Sequence, residues 1–247
     1  MTCHYGKIRW TAIAGLAIAW STLALAEEPK KPAAEPKAAP AAGKPSALAK
    51  DPYQWNSLFD GKTLNGWKAP SFGGEGEVTV KDGTIVLGLG EAMTGVAWNG
   101  GELPKVDYEL AFEGMRTKGV DFFCTTTFPV GDSWCSFVVG GWAGTVVGLS
   151  SIDYYDASDN TTTGFMSFKD KQWYRIRVRV TKNKIQAWID DEKKVDFTTT
   201  DHKISIRFEC DPCKPLGISS WCTEGRIRDV RLRKLKAEEV AETEAEK

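Results

Sequence analysis

The stretch YRIRVRV, residues 174–180, decides the fold. Tyr174, Ile176, Val178 and Val180 fall on one side of an extended chain, and Arg175, Arg177 and Arg179 fall on the other, a period of two without exception. A segment patterned in this way has one dry face and one wet face. KIQAWID, residues 184–190, repeats it, with Ile185, Ala187 and Ile189 inward and Gln186, Trp188 and Asp190 outward. ISIRFEC, residues 204–210, is read as another strand, placing Ile204, Ile206, Phe208 and Cys210 inward against Ser205, Arg207 and Glu209. Earlier, VTVKDGTIVLG at 78–88 reads as strand, Asp82-Gly83 turn and strand, and YELAFEGM at 108–115 alternates as well.

Turn signals recur at short intervals and no window sustains a helical period, which excludes an α/β alternation. The spacing predicts an all-β domain over residues 51–235, a jelly-roll β-sandwich of two antiparallel sheets with about a dozen strands. SLFDGKTLNGW, residues 57–67, is expected to be its entry clasp. There Leu58 and Phe59 plug the sandwich, Asp60-Gly61 and Asn65-Gly66 supply tight corners, and Trp67 returns to cover the edge.

The flanks differ in composition. Lys7 and Arg9 precede an apolar run ending in Ala24-Leu25-Ala26, which predicts a signal peptide over residues 1–26, cleaved after Ala26, and hence a secreted or periplasmic protein. Residues 27–50 are rich in Pro, Ala, Lys and Glu and lack aromatics, as a semi-extended linker does. Residues 236–247 form an acidic tail, expected to be frayed or weakly helical. A net charge of −1 supplies no field to attract a polyanion, so neither nucleic acid nor, after signal cleavage, a membrane surface is the expected partner.

Five cysteines follow the signal: Cys124, Cys135, Cys210, Cys213 and Cys222. Export allows up to two disulfides with one thiol left over. Cys210-x-x-Cys213 with Cys222 lacks the fourth ligand that zinc wants at short spacing, so zinc is not expected. His202, the one histidine after the signal, excludes multi-histidine metal chemistry and is read as a turn residue. The arginine row is read as a solvated sheet face balanced by the acidic segment DDEKKVD.

SLFDGKTLNGW, VKDGTIVLG, DYELAFE, WYRIRVRVTKNKIQAWIDDEKKVDF and PLGISSWCTEGRIRDVRL, in this order, resemble the 3-keto-disaccharide hydrolase domain family across residues 55–235. The resemblance implies a concanavalin-like jelly roll, exported in bacteria, that cleaves glycosides oxidised to a ketone at carbon 3. This chain differs from the commoner pattern of that family. It has no acidic or amide side chain along SWCSFVV, where the pattern carries Glu and Gln, and it has Ser219, Ser220 and Trp221 near where the pattern carries Gln and His.

A ketone at carbon 3 acidifies the hydrogen on carbon 2, so one base and one group to hold the enolate oxygen suffice for cleavage. The candidate bases are Asp121, in VDFFC, and Glu209, with Arg207 beside it. Trp142 and the loop SSIDYYDASDN, with Asp153, Tyr155, Asp156 and Asn160, are the candidate sugar contacts, since rings stack on pyranose CH groups and carboxylates bind hydroxyls. Asp153, Asp156 and Asp159 stand at i, i+3 and i+6. Their oxygens would suit calcium, but the spacing is not that of an EF-hand, and no cofactor is expected. Two readings follow: a hydrolase or lyase of 3-keto glycosides, or a non-catalytic carbohydrate-binding or wall-associated module that kept the sandwich and lost the base.

Overall fold

Each alternating segment pairs antiparallel with its neighbours in the computed structural model, which describes residues 51–246. The strands are β1 Asn56–Ser57, β2 Trp67–Lys68, β3 Val78–Lys81, β4 Thr84–Leu87, β5 Met93–Trp98, β6 Tyr108–Lys118, β7 Thr125–Val130 and β8 Ser133–Gly140. They continue as β9 Val146–Ser150, β10 Gly164–Phe165, β11 Trp173–Val180, β12 Lys184–Ile189, β13 Glu192–Thr198, β14 Gly217–Trp221 and β15 Glu224–Lys234. One sheet has eight strands in the order β13-β12-β11-β6-β15-β4-β3, with β1 added against β15. The other has seven, in the order β10-β9-β8-β7-β14-β5-β2. This is the expected two-sheet jelly roll. The signal and linker expectations concern residues outside those described.

The period of two places the core where the sequence predicts. Tyr174, Ile176, Val178 and Val180 are buried between the sheets with Leu110, Phe128, Phe137 and Ile218. Tyr108 ties the layers together by donating its hydroxyl to Pro129 O at 2.7 Å. The entry clasp closes as expected: Leu58, Phe59 and Trp67 are buried, Trp67 Nε1 donates to Leu58 O at 2.8 Å, and Trp67 meets Trp98 edge-on.

The wet face of the eight-stranded sheet is a charge network. Glu109, 1% exposed, accepts from Arg177 at 2.8 Å, Arg179 at 3.2 Å and Arg233 at 2.6 Å. The acidic segment balances only Arg175, through Asp190 and Asp191. The C-terminal tail is a docked helix, Ala237–Ala245. Its Glu239 pairs with Arg233 and its Thr243 accepts from Arg179 at 3.0 Å. The acidic composition that reads as a frayed end in isolation is matched here by the arginine row beneath it.

ISIRFEC does not continue as a strand. Only a narrow pair survives, Ser151 with Ser205, beside an isolated bridge from Ile152 to Ile204. The chain then crosses the outer face of the seven-stranded sheet and tightens into a 3-10 turn, Phe208–Cys213, that contains Pro212. Phe208, expected inward, is 78% exposed. This strap fits because the face below it is built of small residues. A Cβ added at Gly217 would lie 2.6 Å from Cys213 Cβ, and Thr127, Ser136 and Ser219 are buried beneath the crossing. Alternation alone does not distinguish a strand from an extended crossing segment.

Burial by itself pushes the Glu109 carboxyl up, but Arg179, Arg177 and Arg233 outweigh it and hold the group below the ordinary range. A depressed carboxylate contributes fully above its unfolded value and loses that contribution as pH falls through the folded one. Glu109→Ala is expected to cost about 3–5 kcal/mol in urea unfolding at neutral pH, because three guanidiniums lose their shared partner. The difference from wild type should shrink as the pH is lowered through the acid range.

Candidate functional site

The loop after β9 folds around Asn160. Its Nδ2 donates to Leu149 O at 2.8 Å, Tyr155 O at 3.1 Å and Asp156 O at 2.8 Å, and its Oδ1 accepts from Thr162 N and Oγ1. Asn160 thus satisfies backbone groups that the sheet cannot reach. At the start of the loop a two-residue turn, Asp153 and Tyr154 at φ 51° and 71°, is closed by the Ile152–Tyr155 pair. A tyrosine held at positive φ is uncommon and is stabilised here by Lys203, whose ammonium bonds the Tyr154 hydroxyl and lies 4.5 Å from its ring centroid.

Between this loop and the 199–203 turn lies a pocket of about 540 Å³, lined by Ile152, Asp153, Tyr155, Ser158, Asp159, Asn160, Thr161, Thr163 and His202. His202 is more than a turn residue. Its Nδ1 sits 2.6 Å from Asp153 Oδ2 and its ring packs against Phe197. The His202 hydrogen bond and the Lys203 N–H, which Asp153 Oδ1 accepts at 2.7 Å, hold the Asp153 carboxyl below its usual range. A carboxylate on Nδ1–H leaves Nε2 as the acceptor, the arrangement of an imidazole general base. The Asp159 carboxylate forms no side-chain bond among the described residues.

The other predicted site residues lie elsewhere. Asp156 turns away from the pocket: its Oδ1 accepts from Ser150 and Ser151 Oγ at 3.1 Å each, and its Oδ2 binds Arg207. Arg207 also grips Glu209 through two bonds, at 2.9 and 3.2 Å. Burial pushes the Glu209 carboxyl up, but Arg207 outweighs it and holds the group low, and Glu209 and Asp156 in turn raise the Arg207 guanidinium. The triad pins the strap to the β9 loop.

Asp121 lies in the segment between β6 and β7, beside the turn that follows β8. It accepts from Phe122 N at 2.8 Å and from Ala143 N at 3.1 Å. The second bond fixes the turn Gly141–Gly144, in which Trp142 and Ala143 are both left-handed at φ 48° and 65°. Trp142 is exposed there and does not line the pocket. The structure therefore gathers Asp153, Tyr155 and Asn160 in the pocket and Asp156, Arg207 and Glu209 beside it. It leaves Asp121 and Trp142 at the β8–β9 turn. Asp153, Asp156 and Asp159 each have different neighbours, and among the described residues no group of three or more His, Cys, Asp or Glu side chains is placed to hold a metal.

His202, Thr161 and Thr163 join the pocket although sequence reading did not assign them to it, and Ser158 and Asp159 enter it with the loop that was read as a sugar contact. A lone histidine 49 residues from its aspartate partner carries no local signature. Its significance depends on the Ser151–Ser205 pairing that aligns the two segments.

The fold is shared with a Crh5 transglycosylase in complex with NAG, at 13% identity over 78% of this chain and 89% of that one, with a TM-score of 0.52. Weaker likenesses include domain 4 of AbnA, a GH43 extracellular arabinanase from Geobacillus stearothermophilus in complex with arabinotriose, at 16% identity over 72% and 86% of the two chains and a TM-score of 0.44. The carbohydrate binding module CBM66 from Bacillus subtilis is similar at 9% identity over 68% and 96%, with a TM-score of 0.43. No curated protein matches the chain by sequence. Fold and sequence together define a jelly-roll domain of a carbohydrate-active, lyase-like class. In particular, the chain matches the 3-keto-alpha-glucoside-1,2-lyase-like domain over residues 54–233, and it belongs to that family.

Asn160→Ala removes the bonds that shape the pocket wall. It is expected to cost about 1–3 kcal/mol, with faster amide exchange over residues 155–163 and little change in β6 or β11, as read by hydrogen exchange.

Proposed function

We propose that this is an exported lyase or hydrolase of 3-keto glycosides that works in the pocket between residues 152–163 and His202. The observation that carries the reading is the 2.6 Å contact of His202 Nδ1 with Asp153 on the pocket wall. Nε2 of His202 takes the proton from carbon 2, and its electron pair moves onto the oxygen at carbon 3. As that pair returns, the double bond between carbons 1 and 2 forms, the carbon 1–oxygen bond breaks, and the leaving oxygen takes up a proton. Water then adds across the double bond. Ser158 and Thr161 hydroxyls in the wall are free to donate to the enolate oxygen, Tyr155 offers a ring face, and Asp159 offers a carboxylate to sugar hydroxyls.

Glu209 then supports the site instead of acting as a base, and Asp121 holds the Gly141–Gly144 turn, away from the pocket. A carboxylate gripped by an arginine is a weak proton acceptor, and one that already accepts two backbone N–H groups has little capacity left. Glu209 holds Arg207, and through it Asp156 and the loop.

The carbohydrate-binding reading has its own support. The outer face of the seven-stranded sheet is filled by the strap, and the two strands that depart from the commoner family pattern, β8 and β14, bear the Ser136 and Ser219 that lie under it. In that reading the pocket binds a sugar without turning it over.

Incubation of the protein with a 3-keto disaccharide and with its unoxidised parent, followed by assay of free reducing sugar, separates the readings. Turnover of the keto sugar alone is expected. His202→Gln should lower kcat/KM by about 10²–10⁴-fold, with a smaller loss in Glu209→Gln and Asp121→Asn. Unchanged turnover in His202→Gln would remove the assigned base. Binding without turnover, weakened by Tyr155→Ala, would establish the module reading.

A further inference from the structure

Three sulfur-bearing side chains meet under the strap. Cys210 and Cys213 stand at i and i+3 of the 3-10 turn. At three residues per turn such positions eclipse, so both side chains leave the same face of the turn. They face the sheet, where Met93 joins them in one buried cluster walled by Phe72, Phe122, Ile206 and Trp221. The Ser136 and Thr127 hydroxyls adjoin Cys210, and the Ser219 hydroxyl adjoins Cys213. Both cysteines are free thiols. Burial pushes the Cys210 thiol up to about 11 and the Cys213 thiol higher still, so neither serves as a nucleophile.

We infer that Met93, Cys210 and Cys213 form a binding site for copper(I), held by two thiolates and one thioether. Soft sulfur ligands select this ion. Zinc asks for four ligands, and the described residues supply no further His, Cys, Asp or Glu to the cluster. On binding, each thiol gives up its proton to solvent and the copper keeps its oxidation state. The resulting group carries one negative charge, toward which one of the mutually bonded Thr127 and Ser136 hydroxyls can donate. Simple packing of the strap would be served by alanine or valine. A cluster of three sulfurs edged with hydroxyls is the arrangement that a soft cation uses. None of the three ligands lines the sugar pocket, so the site stands apart from the proposed reaction.

The full-length protein, reduced and titrated with copper(I) held by bicinchoninate, is expected to withdraw one copper per chain. Native mass spectrometry should show that copper gained with the loss of two protons. Cys210→Ser and Cys213→Ser should each weaken binding by more than the roughly 10–100-fold that loss of a supporting partner costs a metal site. Met93→Leu, which conserves volume and keeps the fold, should weaken it less but measurably. Failure of the wild type to compete with the chelator would overturn the site, as would unchanged uptake in the cysteine variants. If those variants do not fold, unchanged affinity in Met93→Leu overturns the three-ligand site. Peptide mapping that finds Cys210 and Cys213 joined as a disulfide in the exported protein would overturn it too.

Discussion

The chain crosses its own sheet on a surface of side chains too small to obstruct it. Gly217 cannot carry a Cβ without meeting Cys213, and Thr127, Ser136 and Ser219 reach no further than the thiols above them. That close approach holds the strap at one height over β7, β8 and β14. It brings Arg207 within reach of Asp156, and it keeps the Cys210 and Cys213 thiols away from water. It also covers the outer face of the seven-stranded sheet. The proposed site lies instead at the sheet's end, where the β9 loop meets the turn carrying His202.

Electrostatics divides the charged residues into those committed to structure and those left for ligands. Glu109 with its three arginines, Arg233 with Glu239, and Arg207 with Asp156 and Glu209 are neutralised by partners in the fold. Asp121 is bonded to backbone N–H groups. What remains at the pocket is the His202–Asp153 pair and the Asp159 carboxylate. A group already satisfied inside the fold has little interaction energy left for a substrate, and this sorting separates the pocket from the many acids that composition alone would nominate.

Much of the fold was legible in the sequence because side chains on a strand alternate with fixed period. Tyr174 to Val180 and the Asp82-Gly83 corner behave as read, Ile185, Ala187 and Ile189 face inward as read while Gln186 and Trp188, read as wet, are buried as well, and the entry clasp from Leu58 to Trp67 closes as its turns and apolar residues require. ISIRFEC misled because its alternation is not realised: Phe208 is exposed and only Cys210 is buried where the segment crosses the sheet. The acidic tail was read too weakly because Arg179, 64 residues away, is one of its partners, and because Arg233, only six away, meets Glu239 only once β15 and the helix are both in place. Of the candidate site, Asp153, Tyr155 and Asn160 were legible because one loop carries them. The partnership of Asp153 with His202 was not.

By itself the sequence determined the two-sheet scaffold, its register of wet and dry faces and the loop rich in acids and rings, all of which follow from local periodicity and turn chemistry. Only the tertiary structure decided which acids are free, which histidine is oriented, and which sulfurs meet. Those outcomes depend on contacts between segments up to 124 residues apart, and no local pattern encodes the height at which one segment rests on another.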